Sequence, residues 1–273
     1  MTLKTRNRLL KFFFVFSLIC IFTALISFAA ALFNKAITPP PALRIPRFID
    51  KIPFLKYSFT ATMISVFLLI VSVPVTFFFI LKLFEATQSS EIIFFTGFLT
   101  ACLAEGVRFL TPLFGLWSTF SNLLFLCGRI LFMGRLLAPL SFVFAAIAST
   151  VNQRQDVERN LTIMFAITLV FSIIVPINTA KITSAGAVTW GFPVLFMVIR
   201  ILCVLVSFIT FFISSKSFSS VEFKKIAFSM LFIFAGYSLL VTSDNYVMMA
   251  LGFPLFAFGI SCYLKNLHSL NNA

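Results

Sequence analysis

Runs of about 20 apolar residues recur along this chain, separated by short stretches that hold most of its charged positions. Apolar and polar positions do not alternate as they would in the strands of an outer-membrane barrel. Runs of this length are typical of helices that cross a bilayer, because a helix satisfies its own backbone hydrogen bonds in lipid. The pattern predicts eight spans, at roughly 11–33, 58–83, 91–114, 118–149, 160–178, 190–213, 225–242 and 245–265.

The fourth run is long for a single crossing. About 32 helical residues would reach about 48 Å, against a hydrocarbon core of about 30 Å. Either the helix extends beyond the membrane, or it breaks near Gly134 and creates a ninth span. The distribution of Lys and Arg favours eight spans, because a ninth would move most of the later cations to the outer side. Both termini are therefore expected to be cytoplasmic.

Composition supports the membrane assignment. Of 273 residues, 60% are hydrophobic and only 11% are charged, whereas a soluble domain carries about 25% charged residues. The prediction is an all-α integral membrane protein of the plasma membrane, and the small size and short loops favour the bacterial inner membrane. The net charge of +13 is explained by membrane orientation; no polar stretch is long enough to form a domain that binds nucleic acid.

A proline-rich loop sets the first run apart from the other seven. It contains the stretch ITPPPALRIPRF, whose three consecutive prolines favour an extended spacer. We expect residues 1–56 to form a transmembrane helix and an outer loop, and residues 57–273 to form a seven-helix bundle. In the loop, Arg44, Arg47 and Lys51 are expected to lie near lipid phosphates on a short interfacial segment, with a simple connector as the alternative.

Aromatic residues mark the predicted outer ends of the spans. Tyr57, Trp117, Trp190 and Tyr246 all fall there, as in an interfacial belt, and Trp117 and Trp190 are expected to contact lipid. The outer stretch TAKITSAGAVTWGFP is rich in small residues and is expected to be a flexible turn, with the lining of an entrance as the alternative. Small residues in the last run, Gly252 and Gly259, share a helix face and predict close helix packing.

Charged residues inside the apolar runs are the candidates for a functional site. Glu105 and Arg108 are three residues apart, so their side chains can meet on one helix face. Arg129 falls near the bilayer centre, and Glu105 is expected to be its counter-ion as well, because no other acid lies inside a run. Arg200 is a further deep cation without an obvious acidic partner, and Arg135 is expected to extend to the inner interface.

These charges permit two interpretations. If Arg108, Arg129 and Arg200 face one cavity, that cavity favours an anionic ligand or a lipid headgroup. Alternatively, a buried pair between Glu105 and an arginine fixes helix packing, and the other arginines extend toward water. The sequence alone leaves both open.

Motifs for catalysis within the membrane are missing. The single histidine, His268, lies in the C-terminal tail, and the sequence contains no HExxH, GxSxG or GxxxxGK. Two neighbouring intramembrane aspartates are also lacking. We therefore expect no enzyme activity, no catalytic residues, no metal and no cofactor.

Two functions remain. One is a sensing or scaffold subunit that signals through a protein partner, contacted by the mixed-charge cytoplasmic loop that contains Arg154, Asp156, Glu158 and Arg159. The alternative is a small secondary transporter for an anionic solute or lipid. It would bind substrate with Arg108, Arg129 and Arg200 and use Glu105 as the coupling proton site.

Overall fold

The computed structural model of this chain describes residues 2–34, 56–87, 89–116, 121–150 and 156–272. Within them, 8 helical segments are long and apolar enough to cross a membrane, which confirms the all-α class and the eight predicted spans. The third span is one helix that tightens into a 3₁₀ turn, Glu105–Phe109, before its last residues. The helices are α1 (Leu3–Phe33), α2 (Phe59–Leu83), α3 (Ser90–Ala104), α4 (Leu110–Leu113), α5 (Asn122–Thr150), α6 (Val157–Ile174), α7 (Pro193–Ser217), α8 (Val221–Thr242) and α9 (Tyr246–Asn272).

Helices α3 and α5 form the centre of the bundle. In their spans 78% and 67% of the most apolar stretch is buried, against 17% for α6 and α7 and 11% for α1. Helix α5 packs against α3, α6 and α7, and α8 packs against α7 and α9. The outer helices thus present most of their Leu, Ile, Val and Phe side chains to the surroundings, as lipid-facing helices do.

The first helix contacts the bundle through a narrow seam. Its buried residues include Ser17, Ala24 and Ala31, which recur every seven positions and are small. Such a repeat keeps one stripe of a helix against its neighbours, and the small side chains permit a close approach. Helix α1 packs on α2 and α3 along this stripe.

Aromatic side chains fill the interior. Phe98 is fully buried, and its ring centroid lies 5.0 Å from that of Phe142, 5.6 Å from that of Tyr237 and 6.1 Å from that of Phe256. Rings at these separations add attraction beyond the area that they bury. The aromatic cluster joins α3, α5, α8 and α9 into one core.

Both termini lie at one end of the bundle, here called the terminal end. The Arg6 guanidinium donates hydrogen bonds to the backbone carbonyls of Phe84 and Glu85 (3.2 Å for the latter), between α2 and α3. The Phe84 ring also meets the His268 ring edge-on, with centroids 5.5 Å apart. Residues from both ends of the chain therefore meet at one loop, as an even number of crossings requires.

A β-hairpin covers the opposite end, here called the hairpin end. Strand β1 (Ile177–Ile182) pairs antiparallel with β2 (Val188–Trp190), with an irregularity in the register between Asn178 and Ile182. The prediction of a flexible turn here was wrong, and the fifth span ends at Ile174 instead of 178. Val175 has an extended backbone because it precedes Pro176, and such a residue disfavours helix.

Two of the four aromatic residues predicted at outer ends form hydrogen bonds between different segments at the hairpin end. The Tyr57 hydroxyl donates to the Ser184 carbonyl (3.2 Å), and the Tyr246 and Thr60 hydroxyls are 2.8 Å apart. Trp190 belongs to the hairpin itself, and Trp117 lies outside the described residues.

Helix α5 runs unbroken through Gly134, so the structure has no ninth span within the described part of the chain. A Cβ atom at Gly134 would lie 2.6 Å from the Cβ of Ala104 and 3.1 Å from the Ala101 carbonyl oxygen. This glycine therefore marks a close approach of α5 to α3 and not a break. At 29 residues the helix is about 43 Å long, more than the bilayer core requires.

Glycines also bring α8 and α9 together. A Cβ at Gly259 would lie 2.6 Å from the Ile233 backbone nitrogen, and one at Gly252 would lie 3.0 Å from the Leu239 Cβ. The predicted packing role of these two glycines is confirmed. Gly236 of α8 matches them, because its Cβ would lie 2.5 Å from the Phe256 nitrogen.

Candidate functional site

A buried ion cluster lies between α3 and α5, near the middle of the bundle. Glu105 is 1% exposed, and its Oε1 accepts a hydrogen bond from Arg135 Nε at 2.7 Å. Its Oε2 accepts from a terminal nitrogen of Arg135 at 3.1 Å and from one of Arg108 at 3.2 Å. The Arg135 contact is a two-pronged fork, the strongest common geometry between these groups. Both carboxylate oxygens are thus occupied, and the three side chains carry a net charge of about +1.

The backbone places these groups in register. Because a 3₁₀ helix has 3.0 residues per turn, residues i and i+3 are eclipsed, which stacks Arg108 directly over Glu105. On the other side, Gly134 allows α5 to touch α3 at Ala104. This contact brings the next residues, Arg135 and Glu105, within hydrogen-bonding distance.

Arg108 extends the cluster to the hairpin end. Its guanidinium donates to the Val241 carbonyl at the end of α8 (3.2 Å) and to the Ala185 carbonyl in the turn of the hairpin. It is fully buried, and its Nε finds no partner among the described residues. One side chain therefore ties the third span, α8 and the hairpin together.

The prediction of which arginines pair with Glu105 was partly wrong. Arg108 pairs with it as predicted, but Arg129 does not. Arg129 donates to the Ser172 carbonyl in the last turn of α6 (2.7 Å), and its guanidinium carbon lies 4.4 Å from the centroid of the Phe125 ring. A guanidinium suits this position because the last carbonyls of a helix have no partner within it.

Arg135 takes the place expected for Arg129. It is 8% exposed and paired with Glu105, so the prediction that it extends to the inner interface was wrong. Counting how far Glu105 and Arg135 lie from the terminal end would have predicted that they pair. Glu105 lies about 15 residues from the start of α3 and Arg135 about 15 from the end of α5, which puts both at about 22 Å.

Arg200 occupies a separate recess between α5 and α7. The recess is small, about 10 Å³, and is lined by Phe132, Arg135, Leu136, Trp190, Phe196 and Arg200. Arg200 forms no hydrogen bond or ion pair with another described residue. The centroid of the Trp190 ring lies 5.3 Å from the Arg135 guanidinium carbon. Among the described residues, the Trp190 indole N–H has no hydrogen-bond partner. The sequence allowed one cavity shared by Arg108, Arg129 and Arg200. The structure instead gives each of these arginines different neighbours.

Some of the other predicted contact residues belong to the part of the chain that the structure describes, and the rest lie outside it. At the start of α6, Asp156 caps the helix by accepting from the Arg159 backbone N–H at 3.4 Å, and Asp156, Glu158 and Arg159 are exposed. Arg154 and the interfacial residues Arg44, Arg47, Lys51 and Trp117 lie outside the described residues. The protein-partner and lipid-contact assignments stay predictions.

Metal ligands do not gather in the part of the chain that the structure describes, where no three His, Cys, Asp or Glu side chains are grouped to hold an ion. No protein-family model, curated protein or solved structure matches this chain. The geometry alone therefore carries the functional argument.

Proposed function

We propose that this chain is a non-enzymatic subunit of a membrane assembly that senses or scaffolds and acts through a protein partner. The observation that carries this proposal is the use of the buried charges. Both oxygens of Glu105 are taken by Arg135 and Arg108, and Arg108 also holds the hairpin and α8. Such a cluster joins elements of the protein and leaves no open carboxylate for chemistry.

The cluster also provides a physical connection from one end of the bundle to its centre. Displacing the hairpin would move the Ala185 carbonyl and therefore change the position of Arg108. Arg108 shares Glu105 with Arg135 on α5, which continues to the terminal end. A change at the hairpin end would thus reach the helices that a cytoplasmic partner would contact.

A secondary transporter is the second candidate, and Arg200 is the observation that favours it. This cation has no acidic partner among the described side chains, so an anion would stabilise it. Proton coupling by Glu105 would first require its carboxylate to separate from two guanidinium groups. A recess of about 10 Å³ also holds about one water molecule and no organic solute.

Native mass spectrometry on protein gently extracted from its own membrane tests the proposal. The expected result is a second polypeptide at fixed stoichiometry. A chain without a protein partner that retains a small anion, lost on Arg200→Gln, would overturn the subunit proposal and support transport. We propose that the protein resides in a plasma membrane, specifically a bacterial inner membrane.

Charge reversal at the start of α6 locates the partner. Glu158→Lys with Arg159→Glu should release the partner if this exposed turn contacts it. The matched control is Glu222→Lys with Lys225→Glu, which also exchanges an acid and a base near the start of a helix, here α8. Equal release by both pairs would remove the assignment to the α6 turn.

A further inference from the structure

A groove opens at the terminal end between α1 and α2. Its volume is about 290 Å³, and its apolar wall is formed by Leu10, Phe78 and Leu81. Phe78 is 54% exposed, so the wall continues onto the outer surface of α2. The groove is therefore open to the surroundings of the bundle on one side, near the start of α1 and the end of α2.

Two lysines flank this groove, one from each helix. Lys11 and Lys82 are exposed and form no ion pair with any described residue. Among the described residues, Glu85 is the only acid that lines the groove. Long lysine stems can lie on apolar surface while their ammonium groups reach the headgroup layer.

The floor of the groove is held in place by Arg6. Its guanidinium is buried and donates to the Asn7 side-chain oxygen (2.8 Å) and to the Phe84 and Glu85 carbonyls (3.2 Å for the latter). One terminal nitrogen of Arg6 is buried without a partner in the described chain. Arg6 therefore fixes the backbone at which α1 and α2 meet and adds a third positive charge close to the groove.

We infer that this groove binds the headgroup of an anionic phospholipid, with Lys11 and Lys82 on the phosphate. The acyl chains would lie along Phe78 and Leu81. Basic pockets between membrane helices recognise anionic headgroups in this way, because the cations supply the charge complement and the apolar wall supplies the chain contact. A free phosphate would use the lysines but not the wall. The site is separate from the ion cluster and does not depend on a protein partner.

The binding test compares lipids that differ only in headgroup charge. The full chain in detergent is titrated with phosphatidylglycerol or with phosphatidylcholine of the same acyl chains, and bound lipid is measured by native mass spectrometry. Wild-type protein should bind phosphatidylglycerol more tightly. Equal binding of the two lipids, or displacement of phosphatidylglycerol by an equal concentration of inorganic phosphate, would overturn the inference.

Variants then locate the site. Lys11→Gln with Lys82→Gln should weaken phosphatidylglycerol binding about 30-fold, because each lysine near a headgroup contributes about a five-fold preference. The matched control is Lys216→Gln with Lys224→Gln, which removes the same charge at the same end, from exposed lysines near the Phe212 ring.

Glu85→Gln provides a test of opposite sign, because it removes the negative charge of the groove and should tighten binding. Thermal unfolding of each variant checks that the fold is retained. Equal weakening by the two lysine pairs, or weaker binding in Glu85→Gln, would overturn the site assignment.

Discussion

Replacing Glu105 with glutamine removes the carboxylate that neutralises Arg135 and Arg108 in the bundle interior. Three hydrogen bonds of 2.7, 3.1 and 3.2 Å to charged donors are lost or weakened. Both arginines stay buried, at 8% and 0% exposure. Breaking a buried ion pair by removing one partner costs about 3–5 kcal/mol, since the remaining charge is left uncompensated. We expect Glu105→Gln to lower the free energy of unfolding by about this amount.

Glu222→Gln is the matched control. Glu222 also accepts from a cation three residues later on the same helix, Lys225 at 3.0 Å, but the two side chains are 26% and 52% exposed. An exposed helical pair of this kind contributes about 0.3–0.5 kcal/mol. The same substitution at the same i,i+3 spacing should therefore cost several-fold less at residue 222 than at residue 105.

Reversible unfolding in mixed micelles measures both variants, with the helical signal as the readout. A double-mutant cycle with Arg135→Gln isolates the pair, and the double variant should be more stable than the sum of the single losses predicts. If Glu105→Gln unfolds no more easily than Glu222→Gln, the ion cluster does not hold the bundle together. The mechanical connection from hairpin to core would then have no basis.

Two further predictions concern helix packing at glycines and the contribution of Arg129. Gly259→Ala should destabilise the fold by about 1–3 kcal/mol, because its Cβ would lie 2.6 Å from the Ile233 backbone nitrogen. In Gly106→Ala the nearest atom is the end of the Ile70 side chain at 3.0 Å, which can move, so thermal unfolding should separate the two variants clearly. Arg129→Gln should cost about 1.5–3 kcal/mol, the value of one hydrogen bond that involves a charged group, because its single hydrogen bond is to a carbonyl of α6. A folded Arg129→Gln protein therefore permits a direct uptake assay, and loss of anion uptake in it would favour the transporter.

The spans were predictable because membrane insertion depends on local composition. Each apolar run is long enough to cross the bilayer by itself, whatever its neighbours. The ends were less predictable, since α1 begins at Leu3 and α9 continues to Asn272 beyond the apolar runs. Polar residues extend these helices because Thr2 caps the first of them and because a helix tolerates Lys, Asn and His outside the hydrocarbon.

The hairpin was missed although its signal is present in the sequence. The stretches INTAKI and VTW contain β-branched residues, and Ser184, Ala185 and Gly186 lie between them. Gly186 adopts a positive φ of 70°, which glycine reaches without steric cost. Two short β-branched runs separated by a turn with glycine predict a hairpin. The high hydrophobicity of the surrounding spans obscured this local pattern.

The sequence by itself determined the medium of the protein and the number of its crossings, and it identified Glu105 and Arg108 as buried charges. It also predicted that Glu105 and Arg108 can meet, because residues three apart on a helix lie near one another on its surface, and the structure confirms the pair. Only the tertiary structure decided that Arg135, and not Arg129, completes the cluster. That choice depends on the relative depth and rotation of two helices, which are set by the contact of Gly134 with Ala104. Contacts between helices of this kind arise from the packing of both partners, and neither sequence segment encodes them alone.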